Sequence, residues 1–565
     1  MKLLNKNSIE LILNSKLFLY INTLRYLKFS QIYWRIRYKL TFPRVDLNAR
    51  LELREAAGPW VVPACRRQSL EDVYTFRFLN ESGSLSELGW DGAQRTKLWR
   101  YNQHYFDYLN SFGADARVDA HCFLVSDWIK ENPPGHGTGW ESYPLSLRIV
   151  NWIKWYQANH SLHYESIHSL TLQARWLERR VEWHILGNHL FANAKALIFA
   201  GLCFEGQEAQ NWLMTGLKIV SDELTEQVLD DGGNFERSPM YHALFLEDLL
   251  DLINLARRYP GVIESELINR WCATARLMLY WLEGMCHPDG EIAFFNDAAV
   301  GIAPSPDEIK NYSYRLGILN HQSDTPSPVV ACTQFLESGY LRLTAKNAVL
   351  FMDVAPIGPD YLPGHAHADT LSLELSLFGW RVLVNGGTSQ YGDGALRQEE
   401  RGTAAHNTVE VDGNNSSEVW SGFRVARRAY PQGLEVIQGD QYVSVTCAHD
   451  GYTRWPTRAV HARTLQLSQG KLRVMDQIIG KCKTAVARFH FHPDFQIDKL
   501  DVGEYSLSKP GFGQVILITV LHGVAGIEPS FYSPEFGIRQ KSHCLAVQID
   551  SKKQVIIEMS WSIDE

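Results

Sequence analysis

Near residue 335 the hydrophobic period of this 565-residue chain changes from three-to-four to two. Upstream, from about 140 to 290, segments such as "YPLSLRIVNWIKWYQAN", "NHLFANAKALIFAGL" and "PMYHALFLEDLLDLINLARRY" carry apolar residues at helical spacing. The breaks between them are short, so neighbouring helices should run antiparallel. Downstream, "GYLRLTAKNAVLFMDV", "QYVSVTCA", "AVARFHFH" and "QVIIEMSW" alternate, with Gly, Asn and Asp turns between them. Helix stripes and strand faces bury their apolar sides in different layers, so two such blocks call for two bodies. The chain also exceeds one ordinary core. The expected organisation is a basic, aromatic lead-in over 1–90, a helical domain over 91–325 and an antiparallel β-sandwich over 326–565. The Pro- and Ser-bearing stretch 303–330 reads as the connection.

The formal net charge of −8 argues against a nucleic-acid binder, yet leaves room for an anionic sugar in a locally basic cleft. Nine scattered cysteines without a CxxC pair read as reduced thiols. The N-terminus shows no secretory apolar region, and no stretch approaches a membrane span. The expected location is therefore the cytoplasm or the inner-membrane surface, rather than the periplasm. Residues 1–44 carry nine Lys or Arg against the single acid Glu10, and "INTLRYLKFSQIYWRIRYKL" mixes bases with aromatics at near-helical spacing. Such an arm either makes peripheral contact with an anionic membrane or packs on its own protein with a solvated basic face.

Four stretches concentrate chemistry. In "PGHAHADTLSLELS" (363–376), alternation would put His365, His367 and Asp369 on the face of Leu371, Leu373, Leu375 and Leu377. Burying unpartnered polar groups costs roughly 1–3 kcal/mol each, so something should be held there. In "WHILGNHLFANAKAL" (183–197), Asn188 and His189 follow Gly187 at the mouth of an apolar helix; an Asn N-cap with a passenger His is the plain alternative. In "DGGNFERSPMYHALF" (231–245), Ser238-Pro239 is a helix start that puts Tyr241 in the first turn. There the helix dipole should favour phenolate, although Tyr241 could equally be an aromatic staple. In "RQEERGTAAHNTVEVDG" (397–413), His406 precedes an alternating strand, as a sheet-capping histidine also would.

Taken together and in this order, the Asn-His pair, the helix-start Tyr, "GHAHAD", the "GGT" after "WRVLVN" and "AHNTV" resemble the heparinase II/III-like polysaccharide lyases from about residue 90 onward. The resemblance implies an incomplete (α/α) toroid followed by an antiparallel β-sandwich, with an acidic polysaccharide bound between them. Carried over by position, it implies that Asn188 and His189 engage a uronate carboxylate, that Tyr241 and His365 are the acid–base pair, and that His367 and His406 belong to a metal site. A small bulge or twist should then separate the His365 and His367 rings.

The implied reaction is β-elimination. Neutralising the carboxylate would stabilise the enolate-like intermediate formed when the C5 proton leaves. Tyr241 and His365 would remove that proton and protonate the departing O4, in either assignment. Arg148, Arg237 and Arg401 are candidate partners for substrate charge. Where relatives supply an aspartate ligand this chain has Asn385, so one divalent metal, zinc or calcium, is expected to be structural and weakly held by His367, Asn385 and His406, with Asp369 or Asp393 as unsupported substitutes. Two rival readings are a non-lytic transferase or glycan-binding role in surface-polysaccharide synthesis, and a metal-dependent hydrolase, which lacks a general-base motif.

Overall fold

The computed structural model describes residues 16–158, 160, 162–319, 330–454 and 458–562. The first fifteen residues of the basic arm and residues 320–329 of the expected connection lie outside the described residues; the earlier part of that connection is in part helical, over Pro306–Arg315.

The helical period becomes Ser142–Gln157, Tyr164–Arg179, Gly187–Cys203, Gln207–Gln227, Pro239–Arg258 and Ser265–Gly284. Gly187–Cys203 is buried along nearly its whole length, because the other helices pack around it. Its neighbour Gln207–Gln227 comes close at Gly216, where an added Cβ would sit 2.7 Å from Ile198 and 2.8 Å from the Ala194 carbonyl. Only glycine permits that spacing. Two helices, Lys16–Leu24 and Phe29–Leu40, precede this body.

The alternating half forms a sandwich. One layer is an eight-stranded antiparallel sheet, including Tyr442–His449, Val460–Ser468 and Lys471–Ile479. The other joins a five-stranded meander (Ala331–Phe335 to Trp380–Leu383) to a four-stranded sheet through an antiparallel bridge between Leu383 and Phe491. Leu373, Leu375 and Leu377 meet Val443, Val445 and Leu465 in the core between the layers.

The strand carrying those leucines begins only at Leu373. Upstream, Leu371 has φ +65°, so the alternation read over 363–376 does not extend through the histidines. The other face of the strand is buried too. Glu374 there accepts from His287 and from the Phe294 and Asn385 N–H groups, which fastens the sandwich to the segment following the last long helix.

Candidate active site

Asn188 and His189 enter through a strained turn. Leu186 caps the Gly187–Cys203 helix at φ +68°, a conformation that costs a non-glycine residue about 1–2 kcal/mol. Gly187 follows at φ +56°, and an added Cβ would lie 2.5 Å from Leu362 and 3.2 Å from Glu236 Oε1. Asn188 is thus not the N-cap; it lines the cleft, and its backbone N–H donates to Glu236. His189 is oriented by Glu182, 3.2 Å from Nδ1, and by the Tyr143 ring at 4.3 Å.

Ser238 does two jobs at the Pro239–Arg258 helix. Its hydroxyl accepts from the Tyr241 N–H at 3.1 Å and donates to the Asp297 carbonyl at 2.5 Å. Tyr241 stacks on His365, with ring centroids 3.8 Å apart, and its hydroxyl meets that of Tyr391 at 2.9 Å. The expected lowering of the Tyr241 pKa is reversed. Burial, then the neighbouring Tyr391 and Asp297, push the phenol well above its ordinary value, and one helix dipole is too small to compete.

Asp297 is the hub. Its Oδ2 lies 2.9 Å from His365 Nδ1, and its Oδ1 lies 2.8 Å from His367 Nε2. One carboxylate therefore bridges the two rings that a bulge was expected to separate. Burial would raise the Asp297 pKa, but the Arg397 guanidinium and both histidines hold it well below the usual carboxylate range. His365 remains 14% exposed, whereas His367 is fully buried.

Behind His367, its Nδ1 faces His406 Nε2 at 3.2 Å, and His406 Nδ1 faces Asn385 Oδ1 at 3.2 Å. Asn385 Nδ2 donates to the Phe294 carbonyl, so it is the oxygen that meets His406, and His406 Nδ1 must carry the hydrogen. His367 donates its own hydrogen from Nε2 to the ionised Asp297. Burial lowers His367 to about 4 and His406 to about 3, so both rings are neutral at pH 7. Two lone pairs consequently face each other.

These residues do not fit the three-ligand metal site expected from the sequence. Asn385 lies on the far side of His406, where it orients the ring instead of joining His367 as a ligand. Asp369 accepts from the Asn296 N–H, and Asp393 holds Ser421 and Gly422. Among the described residues, no group of three His, Cys, Asp or Glu side chains is arranged to hold a metal ion.

The three candidate arginines are braces. Arg148 is buried in the helical core over the Trp128 ring, where Nε donates to Gln173. Arg237 spends Nε, NH1 and NH2 on the carbonyls of Ser338, Pro356 and Glu337, which ties the two halves together. Arg401 donates to the carbonyls of Ala366, Ser421 and Gly422, fixing the residue between His365 and His367. None of the three lines the cleft, and Arg148 NH2, although without a hydrogen-bond partner among the described residues, is buried in the helical core. The bases that do line it are Arg66, Lys154 and Lys195.

Sequence reasoning missed Asp297, Glu236, Tyr391 and Arg397. Glu236 Oε2 is buried without a hydrogen-bond partner among the described residues and sits 3.7 Å from His365 Nε2. Burial raises its pKa, against the opposing pull of His365 and His189. The available signals were an acid inside the apolar run "AFFNDAAV" and one two residues before the Ser238-Pro239 helix start.

Asn188, Glu236 and Tyr241 line one cleft. The profile for the heparinase II/III N-terminus matches residues 92–313, and that for the heparinase II/III-like C-terminal domain matches 328–561. The chain belongs to the heparinase II/III-like family. A heparin-sulfate lyase of Pedobacter heparinus is 24% identical over 365 residues, 58% of this chain and 53% of that relative. One from Bacteroides stercoris is 26% identical over 263 residues, 44% of this chain and 38% of that relative. The chain thus spans about half the length of the curated lyases it matches, or less. The FtsZ-localized protein C of Caulobacter vibrioides is 24% identical over 509 residues, covering 81% and 80%. Among solved structures, a heparinase III superposes with TM-score 0.64 at 17% identity, covering 82% of this chain and 76% of that one. A heparan sulfate lyase from Pedobacter heparinus gives 0.59 at 18%, covering 95% and 88%. The shared fold is the toroid followed by a sandwich.

Proposed function

We propose that this family member is a polysaccharide lyase that cleaves a uronate-bearing glycan by β-elimination. The observation that carries the reading is the Tyr241–His365 stack, with His365 fixed by Asp297 beside a cleft lined by Asn188 and Glu236. Removing the C5 proton places negative charge on the uronate carboxyl. The Asn188 amide and His189 would meet that charge more strongly as it grows, which is what lowers a barrier. His365 and Tyr241 would then divide the roles of base and acid. The Asp297 carboxylate fixes the His365 ring through Nδ1, while the raised Tyr241 pKa suits a phenol that gives and regains its proton rather than a standing phenolate.

The cleft also bears on which glycan. Arg66, Lys154 and Lys195 are already paired with Glu247, Asp248 and Asp251, and Asp107 lies 4.0 Å from Arg66. With Glu236, five carboxyl groups against three bases line the cleft, which favours a sparsely charged chain over a heavily sulfated one. The test is a panel of uronate glycans, read by ultraviolet absorbance of the unsaturated product. Unsulfated members should be cleaved fastest, and Tyr241→Phe and His365→Ala should each slow turnover about 10²–10⁴-fold. Products without a conjugated double bond would remove the lyase reading.

A non-lytic reading draws on the Caulobacter relative, whose alignment covers more of this chain than either lyase alignment above and whose name is not that of a lyase. Glycan binding without cleavage across the whole panel would favour it.

A further inference from the structure

The two N-terminal helices have one face held and one face unheld. On the held face, Gln31 is buried and donates to the Tyr361 carbonyl at 3.3 Å, Trp34 stacks on Trp183, and Trp420 Nε1 donates to Thr23 at 3.1 Å. These contacts straddle both halves of the molecule. Trp183 lies just before the Leu186–Gly187 turn, and Tyr361 adjoins Leu362, which packs on Gly187. The arm is therefore anchored on both sides of the catalytic seam.

The opposite face is apolar and open. Phe29, Ile32, Tyr33, Ile36 and Leu40 recur at three-to-four spacing along Phe29–Leu40 and are all exposed, Phe29 by 82% and Leu40 by 74%. Leu17, Ile21 and Leu24 repeat the pattern along Lys16–Leu24, while Tyr20 at its edge meets the Trp420 ring at 4.8 Å. Exposed apolar surface arranged in a stripe marks a contact rather than ordinary surface. At 3.6 residues per turn, Arg37 stands on one flank of the second stripe, and Lys28, Arg35 and Lys39 stand on the other. Residues 16–44 carry seven Lys or Arg and no acid, in a chain of net charge −8. Among the described residues, Lys28 is the member of this set that pairs with a carboxylate, that of Glu226.

We propose that this face docks on an anionic lipid bilayer. The helices would lie in the headgroup plane with the apolar stripe inserted and the bases reaching out along its edges, as long cationic side chains do at an interface. No helix among the described residues is long and apolar enough to cross a membrane, so the contact is peripheral. A second copy fits less well, because it would bring two uncompensated cationic faces together. The inference does not depend on the lyase reading.

The full-length protein is mixed with vesicles of phosphatidylglycerol and phosphatidylethanolamine, or of phosphatidylcholine alone, and bound protein is separated by flotation. Binding to the anionic vesicles is expected at low salt, with weakening as salt rises. The double variant Ile32→Glu/Ile36→Glu should lose affinity on the order of tenfold or more, with unchanged melting temperature and unchanged glycan cleavage or binding. Lys39→Glu should weaken binding several-fold and reduce its salt dependence. Absence of binding at low salt overturns the proposal, as does equal binding by the double variant. A halved solution mass of the double variant, without vesicle binding by the parent, would show the face to be a contact between copies. Loss of glycan binding on Lys39→Glu alone would assign the bases to substrate instead.

Discussion

The protein holds two buried chains built from the same parts. In the cleft, Arg397 pairs with Asp297, Asp297 with His367, and His367 faces His406 at 3.2 Å. Inside the sandwich, Arg463 pairs with Asp476, Asp476 with His461, and His461 faces His449, again at 3.2 Å. They differ at their ends. His449 Nδ1 accepts from the Gly451 N–H, so its Nε2 carries a hydrogen for His461, whose own Nε2–H goes to Asp476. Every hydrogen in that chain has an acceptor. In the cleft chain Asn385 presents an oxygen to His406, which leaves the two inner nitrogens without a hydrogen between them. Asp297 also holds a third ring, His365, which stacks on the cleft-lining Tyr241. Composition and burial alone therefore do not tell the two chains apart; the hydrogen count and the third ring do. The sealed chain supports the open one, since Arg463 also donates to the carbonyls of Leu371 and Asn407, which flank the segments of His367 and His406.

Making the same change in both chains should separate them most sharply. Asp297→Asn and Asp476→Asn each leave a buried arginine without its counter-charge, which costs about 3–5 kcal/mol. Both variants should melt well below the parent. Measured at a temperature where both are folded, Asp297→Asn should slow glycan cleavage by at least about 10²-fold, because His365 loses its anchor. Asp476→Asn should keep turnover within a few-fold of the parent. Equal loss of activity in the two would erase the distinction between the chains.

The next effect tests the role given to Asn385. An aspartate there would lose the amide hydrogen bond to the Phe294 carbonyl and place a second carboxylate by Glu374, whose Oε1 accepts from the residue 385 N–H. Asn385→Asp should therefore destabilise the fold by about 1–3 kcal/mol, and added zinc should not restore it. Thermal melts with and without zinc, together with the metal content after dialysis, decide the matter. A higher melting temperature accompanied by stoichiometric zinc would mean that residue 385 ligates after all.

Much of this architecture is local and was legible. The change of period locates the helical and β halves, Ser238-Pro239 announces the helix start at Tyr241, and the "AHNTV" stretch does precede a strand, Val409–Val411. What could not be read depends on partners far along the chain. Asp297 meets His365 across 68 residues and Arg397 across 100, and nothing within "FFNDAAV" distinguishes it from a turn acid. The alternation drawn through His365 and His367 failed because Leu371 turns left-handed and the Ser372 N–H donates to the Asp369 carbonyl, so period two starts later. Arg237 and Arg401 were misjudged for a related reason: loop carbonyls take up their donors, and a sequence does not show where loops bring carbonyls together.

The smallest expected effect lies at the open end of the cleft chain, where the sealed chain has no counterpart. Glu236 is buried, its Oε2 is unpartnered among the described residues, and burial raises its pKa despite His365 and His189 nearby. In the unfolded chain a glutamate titrates near 4.3. A carboxyl whose folded value is higher keeps its proton longer when folded, so its contribution to stability is fully present below about 4.3 and is lost as pH rises through the raised value. Glutamine cannot ionise and escapes that loss. Glu236→Gln should thus melt close to the parent near pH 4 and above it at neutral pH, by a few degrees at most, since a tenfold change in proton affinity corresponds to about 1.4 kcal/mol. Turnover should move the other way if Glu236 touches the uronate, because the variant keeps a hydrogen donor but loses the group whose charge responds to His365. Melting curves taken from pH 4 to 8 read the first effect, and the pH profile of cleavage reads the second. A melting-temperature difference that stays constant across that range would show that Glu236 does not titrate there.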